Sequence, residues 1–202
     1  MNSSATVVDL LRHGEPVGGR RFRGKQDDPL SYRGWTQMRA ALRPFAPSWQ
    51  SIITSPLRRC AEFADELSGM VGIGSCEWPD FQEMGFGEWE GRTAESLLEE
   101  QPDVIEAFWR DPVNFSPPNG EGLVEFSRRI MGAWGNLIEQ HAGEHVLLIA
   151  HGGVIRVILA ETLGMPLDNL YRIEVPYASL SRLRIFGSGA DRRPMLIFHG
   201  SR

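Results

Sequence analysis

The sequence predicts an α/β fold, a three-layer α/β/α sandwich around a mostly parallel sheet with a small cap insertion. Two segments, Val7–Leu11 and Val146–Ala150, are almost continuously apolar, as expected for strands that are covered on both faces. Amphipathic helical patterns alternate with the predicted strands, which favours parallel strands joined by helices. The 202 residues are enough for one large domain with a good core, so we predict a single domain over 1–202.

Three further segments complete the predicted sheet. Ser51–Thr54 follows the first predicted helix and is short and apolar at its centre. Leu180–Phe186 and Met195–His199 are separated by the turn-rich sequence GSGADRRP, which favours an antiparallel hairpin that closes the sheet.

Helix signals separate these strands. Ser31 is a predicted N-cap, and Ser55-Pro56 resembles a cap followed by proline at the first helical position. Gly164 and Pro166 mark the end of the last helix. We predict helices over 31–42, 55–67, 123–138 and 154–163.

Residues 85–120 interrupt this alternation, because they are rich in Gly, Pro, Trp and Glu, and Pro102 divides any helix that they form. We interpret this segment as a cap or lid over the domain. A peripheral excursion without a role is the alternative. Of its aromatic residues, we expect Trp89 to be structural and Phe108 and Trp109 to face the cleft, where a flat leaving group would stack on them.

Composition limits the function classes. The net charge of −5 gives no general attraction to nucleic acid or to an anionic membrane, so any anion must be held by a local cluster of cations. Cys60 and Cys76 fit neither a disulfide framework nor a metal clip, and we expect both to be reduced, core-like thiols. The N-terminus does not resemble a signal peptide and no apolar run could span a bilayer. We therefore expect a cytoplasmic protein, and a homodimer stays open.

Three predicted strands end in unusual residues: LRHGE after the first, TSPLRR after the second and AHGG after the Val146–Ala150 strand. Open α/β sheets bind ligands beyond the carboxyl ends of their strands. Each motif alone has an ordinary structural explanation. Their convergence on one edge favours an anion site, in which Arg59 lies in the first turn of a helix and the glycines allow close backbone approach.

These motifs resemble a known family. LLRHGE, TSPLRRCAEFA, EMGFGEWEG and LIAHGGVIR, in this order, are similar to the histidine phosphatase superfamily, also called phosphoglycerate-mutase-like. RFRGKQDDPLSYRGW and FGEWEG resemble its short bacterial phosphatases, including α-ribazole phosphatases. The resemblance implies a three-layer α/β sandwich with a small cap, and a phosphomonoesterase that uses neither cofactor nor metal and acts on a small phosphorylated metabolite, with α-ribazole 5'-phosphate as one candidate.

The resemblance also implies roles. His13 matches the nucleophile that becomes phosphorylated, Glu83 the proton donor and His151 the second histidine. The residues that match phosphate or substrate contacts are Arg12, Arg59, Gly24 and Gly152.

Two departures from the family pattern affect substrate contacts. Gly19 stands where an asparagine is frequent, and Arg23 is a candidate replacement for that donor. Gly120-Glu121-Gly122 stands where the cap often has GES, which removes an expected serine.

The chemistry of the motif explains why Arg12 and His13 are neighbours. They are compatible if His13 is neutral and a dianionic phosphate lies between them and Arg59, since nearby arginines lower the pKa of an imidazole.

The sequence leaves three alternative functions open. A metal site of His13, His151 and Glu83 is one, although the arginines would repel a cation. A phosphoglycerate-type mutase is another, but the chain is short and lacks the ERHYG pattern. The third is a phospho-ligand binder without catalysis.

Overall fold

The computed structural model describes residues 5–45 and 48–201. A six-stranded sheet has the order β3-β2-β4-β1-β5-β6. The strands are β1 (Thr6–Arg12), β2 (Ser51–Thr54), β3 (Ser75–Glu77), β4 (His145–Ala150), β5 (Leu180–Phe186) and β6 (Arg193–Ser201). The helices are α1 (Tyr32–Leu42), α2 (Arg58–Val71), α3 (Ala94–Glu100), α4 (Pro102–Arg110), α5 (Leu123–Gln140) and α6 (Gly152–Thr162). In this part of the chain, no helix is long and apolar enough to cross a membrane.

The sheet is mostly parallel. β1, β2, β3 and β4 pair in parallel, whereas β5 runs antiparallel to both β1 and β6. β1 and β4 are adjacent and in register, with Arg12 opposite Ala150. The next residue of each strand is a histidine, so the sheet itself brings the two RHG and AHG motifs together.

Side chains of the central strands alternate between two cores. Val8, Leu10 and Leu148 pack into a core with α5 and α6, whereas Leu11 and Ile149 pack into a second core with α1 and α2. Both faces of β1 and β4 are therefore buried, which is why these strands are apolar without interruption. The predicted α/β/α sandwich is confirmed.

The predicted strands are all present, and the Leu180–Phe186 strand forms the expected hairpin with β6. β3 was not predicted, because Ser75–Glu77 is short, polar and largely exposed. The first helix and its Ser31 cap are as predicted. The predicted helix start at Ser55-Pro56 is wrong, since α2 begins at Arg58 and extends to Val71. Cys60 is buried as expected, but Cys76 is exposed.

The segment predicted as a cap contains α3 and α4, with Pro102 in the first turn of α4. Trp89 and Phe108 pack edge to face, 5.3 Å apart, and both belong to the core formed with α5. The cap is thus attached to the sandwich by a continuous apolar contact, and the expected structural role of Trp89 agrees with its burial.

Two glycines fix how α1 lies against the residues after β1. A Cβ on Gly14 would lie 2.2 Å from the carbonyl oxygen of Gly34, and a Cβ on Gly34 would lie 2.2 Å from that of Glu15. Gly14 therefore permits backbone-to-backbone packing between α1 and the RHG turn. This contact differs from the approach of a ligand that the sequence suggested for it.

We predict that Gly34→Ala lowers the free energy of unfolding by about 1–3 kcal/mol, because the methyl group collides with backbone that cannot move freely. Gly132→Ala is the matched control: it lies inside α5 with nothing within 4 Å of the added methyl group, so it should stabilise by about 0.5–1 kcal/mol. Urea denaturation of both variants gives the comparison. Equal effects would show that the α1 contact does not constrain the turn.

Candidate active site

A cavity of about 750 Å³ opens beyond the carboxyl ends of β1 and β4. Its walls combine the ends of both strands with the cap and with the segment before β5. Its charged lining residues are six arginines and three glutamates: Arg12, Arg20, Arg21, Arg23, Arg59, Arg156, Glu83, Glu95 and Glu174. A chain with a net charge of −5 therefore concentrates positive charge at this one place, as expected for an anion site.

His13 lies at the base of this cavity and is 5% exposed. Its Nδ1 is 2.7 Å from the carbonyl oxygen of Gly14. A carbonyl can only accept, so Nδ1 carries the proton and donates it. The other nitrogen, Nε2, is then unprotonated in the neutral ring. The backbone thus fixes the tautomer in which Nε2 keeps a free lone pair.

Both site histidines are held neutral. Burial, followed by the guanidinium groups of Arg59 and Arg12, keeps the pKa of His13 well below its usual range. Burial and Arg59 have the same effect on the pKa of His151. The direction of the His13 pKa agrees with the neutral imidazole expected from the Arg12-His13 pair, and burial is its larger cause.

Arg59 is 1% exposed, although it lies in the first turn of α2. Its two terminal nitrogens each donate, over 2.8 Å, to a backbone carbonyl: one to Gly24 and the other to Gln26. Its Nε donates to Nδ1 of His151 over 3.3 Å. The guanidinium group therefore faces the cavity without a carboxylate partner in the described chain.

The N-terminus of α2 itself is not free for a ligand. The carboxylate of Asp27 accepts the backbone N–H of Arg58 over 2.7 Å, and the Arg58 side chain pairs with Glu62. Asp27 caps the helix from a distant loop, so an anion in the cavity meets the Arg59 side chain instead of the helix end.

His151 is fully buried and lies behind the cavity wall, 5.2 Å from the His13 ring. Because its Nδ1 accepts from Arg59, its Nε2 carries the proton and donates to the hydroxyl of Ser55 over 2.7 Å. Both ring nitrogens are engaged within the protein. In this geometry His151 orients Arg59, and its expected catalytic role as the second histidine stays a prediction.

A loop before β5 holds Arg12 and His13. Arg12 donates over 2.5 Å to the carbonyl of Val175, and its guanidinium carbon lies 4.2 Å above the ring of Tyr177. The N–H of Ala178 donates to the His13 carbonyl over 3.1 Å. Ala178 has a φ of 55°, a costly conformation for a non-glycine residue that is common at functional sites. The Nε of Arg12 is buried without a hydrogen-bond partner among the described residues.

Glu83 lines the cavity opposite these cations. One carboxylate oxygen accepts from the N–H of Met84 over 3.1 Å, and the other from the N–H of Gly153 over 3.0 Å. A Cβ on Gly153 would lie 2.3 Å from the Glu83 carboxylate. Glycine at 153, in the first turn of α6, is therefore what lets Glu83 approach the site.

The remaining predicted residues also reach the cavity. Gly24 has a φ of 52° and lies so close to the cap backbone that a Cβ would be 2.7 Å from Met84. Arg23 is 5% exposed, pairs with Asp28 over 2.9 Å, and donates to the carbonyl of Val17. Gly152 begins α6 against Arg12. Gly19 has a φ of 73° and nothing within 4 Å of its Cβ position, and the replacement of the missing asparagine by Arg23 stays a prediction.

The aromatic residues of the cap divide as follows. Phe86, Phe108 and Trp109 line the cavity, whereas Phe115 does not. Trp109 is 44% exposed and Phe108 is buried. Tyr171, Tyr177 and Arg156 also line the cavity. No motif marks the two tyrosines, and Arg156, the last residue of LIAHGGVIR, was assigned no role from the sequence.

In the described ranges, 5–45 and 48–201, no cluster of three or more His, Cys, Asp or Glu side chains is arranged to hold a metal ion. The alternative metal site of His13, His151 and Glu83 therefore has no such cluster to support it in these ranges. The hydrogen bonds of His151 explain this, since neither ring nitrogen is free to act as a ligand.

Comparison with known proteins identifies the family. The model of the histidine phosphatase superfamily (branch 1) matches residues 8–193, and the chain belongs to this family. An uncharacterized phosphatase of Bacillus subtilis is 32% identical over 164 residues, 79% of this chain and 78% of that protein. A "Probable phosphoglycerate mutase" of Yersinia enterocolitica is 31% identical over 179 residues, 87% of this chain and 83% of that protein. The α-ribazole phosphatase of Shigella flexneri is similar in structure, with a TM-score of 0.82, 28% identity and 96% of each chain covered.

We predict that the two buried histidines make stability pH-dependent below about pH 6.5. The unfolded chain binds protons on both histidines there, while the folded chain does not, so stability is present above this pH and is lost as the pH falls. Each histidine contributes a slope of up to about 1.4 kcal/mol per pH unit. Urea denaturation between pH 7 and 5 measures this slope.

His13→Gln should reduce the slope of the free energy of unfolding against pH by up to about 1.4 kcal/mol per pH unit, the contribution of one bound proton. Gly132→Ala keeps both histidines and should retain the slope of the wild-type protein. An unchanged slope in His13→Gln would mean that His13 is protonated in the folded protein.

Proposed function

We propose that this protein is a phosphomonoesterase that hydrolyses a small phosphorylated metabolite through a phosphohistidine on His13. The observation that carries the proposal is the unprotonated Nε2 of His13, fixed by the Gly14 carbonyl, at the base of a cavity lined by arginines. A nucleophile needs a free lone pair at the pH of reaction, and a site for phosphoryl transfer needs positioned positive charge.

In the first step, Nε2 of His13 attacks phosphorus and the ester P–O bond breaks. The leaving oxygen takes a proton from Glu83. In the second step, Glu83 as a carboxylate takes a proton from water, the water oxygen attacks phosphorus and the P–N bond breaks. Inorganic phosphate and neutral His13 result. A carboxyl group that exchanges roles in this way is typical of two-step hydrolysis.

Charge stabilisation comes from Arg12 and Arg59. Each is held by backbone carbonyls, so little reorganisation is needed when negative charge develops on the equatorial oxygens. His151 keeps Arg59 in place through the Nε hydrogen bond. With the charge supplied by guanidinium groups, we propose that the reaction needs no metal ion or other cofactor.

The phosphatase class is favoured over the mutase class by the absent ERHYG pattern. A mutase must exclude water and retain a bisphosphate intermediate. The aromatic lining of Phe86, Phe108 and Trp109 is compatible with a flat leaving group such as that of α-ribazole 5'-phosphate.

We predict that His13→Ala abolishes phosphatase activity and leaves thermal stability nearly unchanged. Mixing the wild-type protein with a labelled aryl phosphate and quenching rapidly should trap an acid-labile, base-stable label on His13. Turnover should continue in EDTA. Full activity of His13→Ala, or loss of activity in EDTA that zinc or magnesium restores, would contradict the proposed mechanism.

We predict that Glu83→Gln slows alkyl phosphates about 10²–10⁴-fold, the usual range for general acid catalysis, and aryl phosphates much less, because a phenolate leaves without a proton. Gly153→Ala should show the same selectivity, since its methyl group displaces the end of the Glu83 side chain and otherwise meets only the edge of the Phe126 ring, at 3.3 Å. Steady-state kinetics with both substrate classes provide the measurement. Equal losses on the two classes would show that Glu83 positions or packs and does not donate a proton.

A further inference from the structure

The cavity carries more positive charge than one phosphate neutralises. Six arginines and three glutamates line it. With Arg23 paired to Asp28 and Glu83 protonated as the proposed acid, five arginines face two carboxylates, and a phosphate dianion neutralises two of the three remaining positive charges. Among the described residues, only Arg23 of the six forms an ion pair. The volume of about 750 Å³ also falls in the range of sites for whole drug-sized ligands.

Arg156 lines the cavity but has no part in the proposed catalytic steps, which makes it the strongest candidate for substrate recognition. It lies on α6 one turn after Gly152, so both residues are on the helix face toward the cavity. The position that a Cβ of Gly152 would take lies 3.3 Å from a terminal nitrogen of Arg156 and 3.4 Å from the guanidinium carbon of Arg12. The two guanidinium groups are therefore close neighbours.

Two like charges at this distance repel each other. Burial lowers the pKa of Arg12 to about 10, and Arg156 contributes to that lowering. The Nε of Arg156 donates to the Ile173 carbonyl over 2.8 Å, and its guanidinium carbon lies 5.7 Å from the Tyr171 ring. These contacts hold the side chain in place, and neither terminal nitrogen has a hydrogen-bond partner among residues 5–45 and 48–201. An anion between or beside the two arginines would relieve the repulsion.

Arg12 and Arg59 surround His13, where the reacting phosphoryl group must lie. Arg156 neighbours Arg12 at Gly152, but its own contacts are with the Ile173 carbonyl and the Tyr171 ring. Its free terminal nitrogens are thus suited to a planar or tetrahedral oxyanion that is distinct from the reacting phosphate.

We propose that Arg156 recognises a second anionic group, a carboxylate or a second phosphate, on the substrate. This assignment rests on the proposed phosphomonoesterase and narrows its substrate class to phosphate esters that are anionic at two places. An ester whose only anion is the reacting phosphate, as in α-ribazole 5'-phosphate, would leave Arg156 unused.

The experiment compares 3-phosphoglycerate with glycerol 3-phosphate, which differ in the carboxylate. Release of inorganic phosphate gives kcat and KM for the wild-type protein and for Arg156→Gln. We expect the wild-type protein to prefer 3-phosphoglycerate. We expect Arg156→Gln to reduce the ratio of the two kcat/KM values about 10–100-fold, mainly through KM for the carboxylate, since hydrogen bonds between charged groups are strong and directional.

Two controls separate recognition from other effects. Arg20→Gln removes an exposed charge from the same cavity and should change the ratio less than about threefold. Arg128→Gln, exposed on α5 away from the cavity lining, should leave the ratio and both rates unchanged.

Equal losses on both substrates in Arg156→Gln would overturn the proposal, because they would mean that Arg156 supports the segment from Ile173 to Tyr177 or binds the reacting phosphate. An effect of Arg20→Gln as large as that of Arg156→Gln would also overturn it, in favour of a general electrostatic field. Failure of the wild-type protein to hydrolyse even an aryl phosphate would instead contradict the proposed function.

Discussion

The buried guanidinium group of Arg59 connects three parts of the molecule that are distant in sequence. It reaches the loop after β1 through the carbonyls of Gly24 and Gln26, and the end of β4 through His151. A charge that is removed from water is costly unless its hydrogen bonds are satisfied. The loop carbonyls must therefore face inward, which requires the left-handed backbone of Gly24. The position of Arg59 thus determines the shape of the loop that forms one wall of the cavity.

The architecture could be predicted from the sequence because its signals are local. Val7–Leu11 and Val146–Ala150 are apolar on both faces, and the structure buries both faces. β3 lacked such a signal, because Ser75–Glu77 is polar and pairs at an edge. The start of α2 was misassigned for a different reason: the Ser55 hydroxyl hydrogen-bonds to His151, and a helix cap supplied by a distant residue leaves no local pattern.

The candidate site could be predicted from the sequence only in part. His13, Arg59, Glu83 and His151 occupy motifs with characteristic spacing, and the sheet brings their segments together. The loop that holds Arg12 and His13 does so with the carbonyl of Val175 and the N–H of Ala178. Backbone groups are common to all residues, so no residue pattern marks them. The position of His151 behind Arg59, with both ring nitrogens engaged, likewise depends on long-range geometry.

The excess of arginines in the cavity has a consequence for the end of the proposed reaction. Inorganic phosphate carries the same oxyanion as the substrate, so the cations that attract the ester also retain the product. Product release then becomes a candidate for the slow step, and free phosphate competes with substrate for the same side chains. The folded state also gains stability whenever phosphate is bound, since only the folded chain brings these arginines together. A higher phosphate concentration would then slow turnover and make the protein more resistant to unfolding.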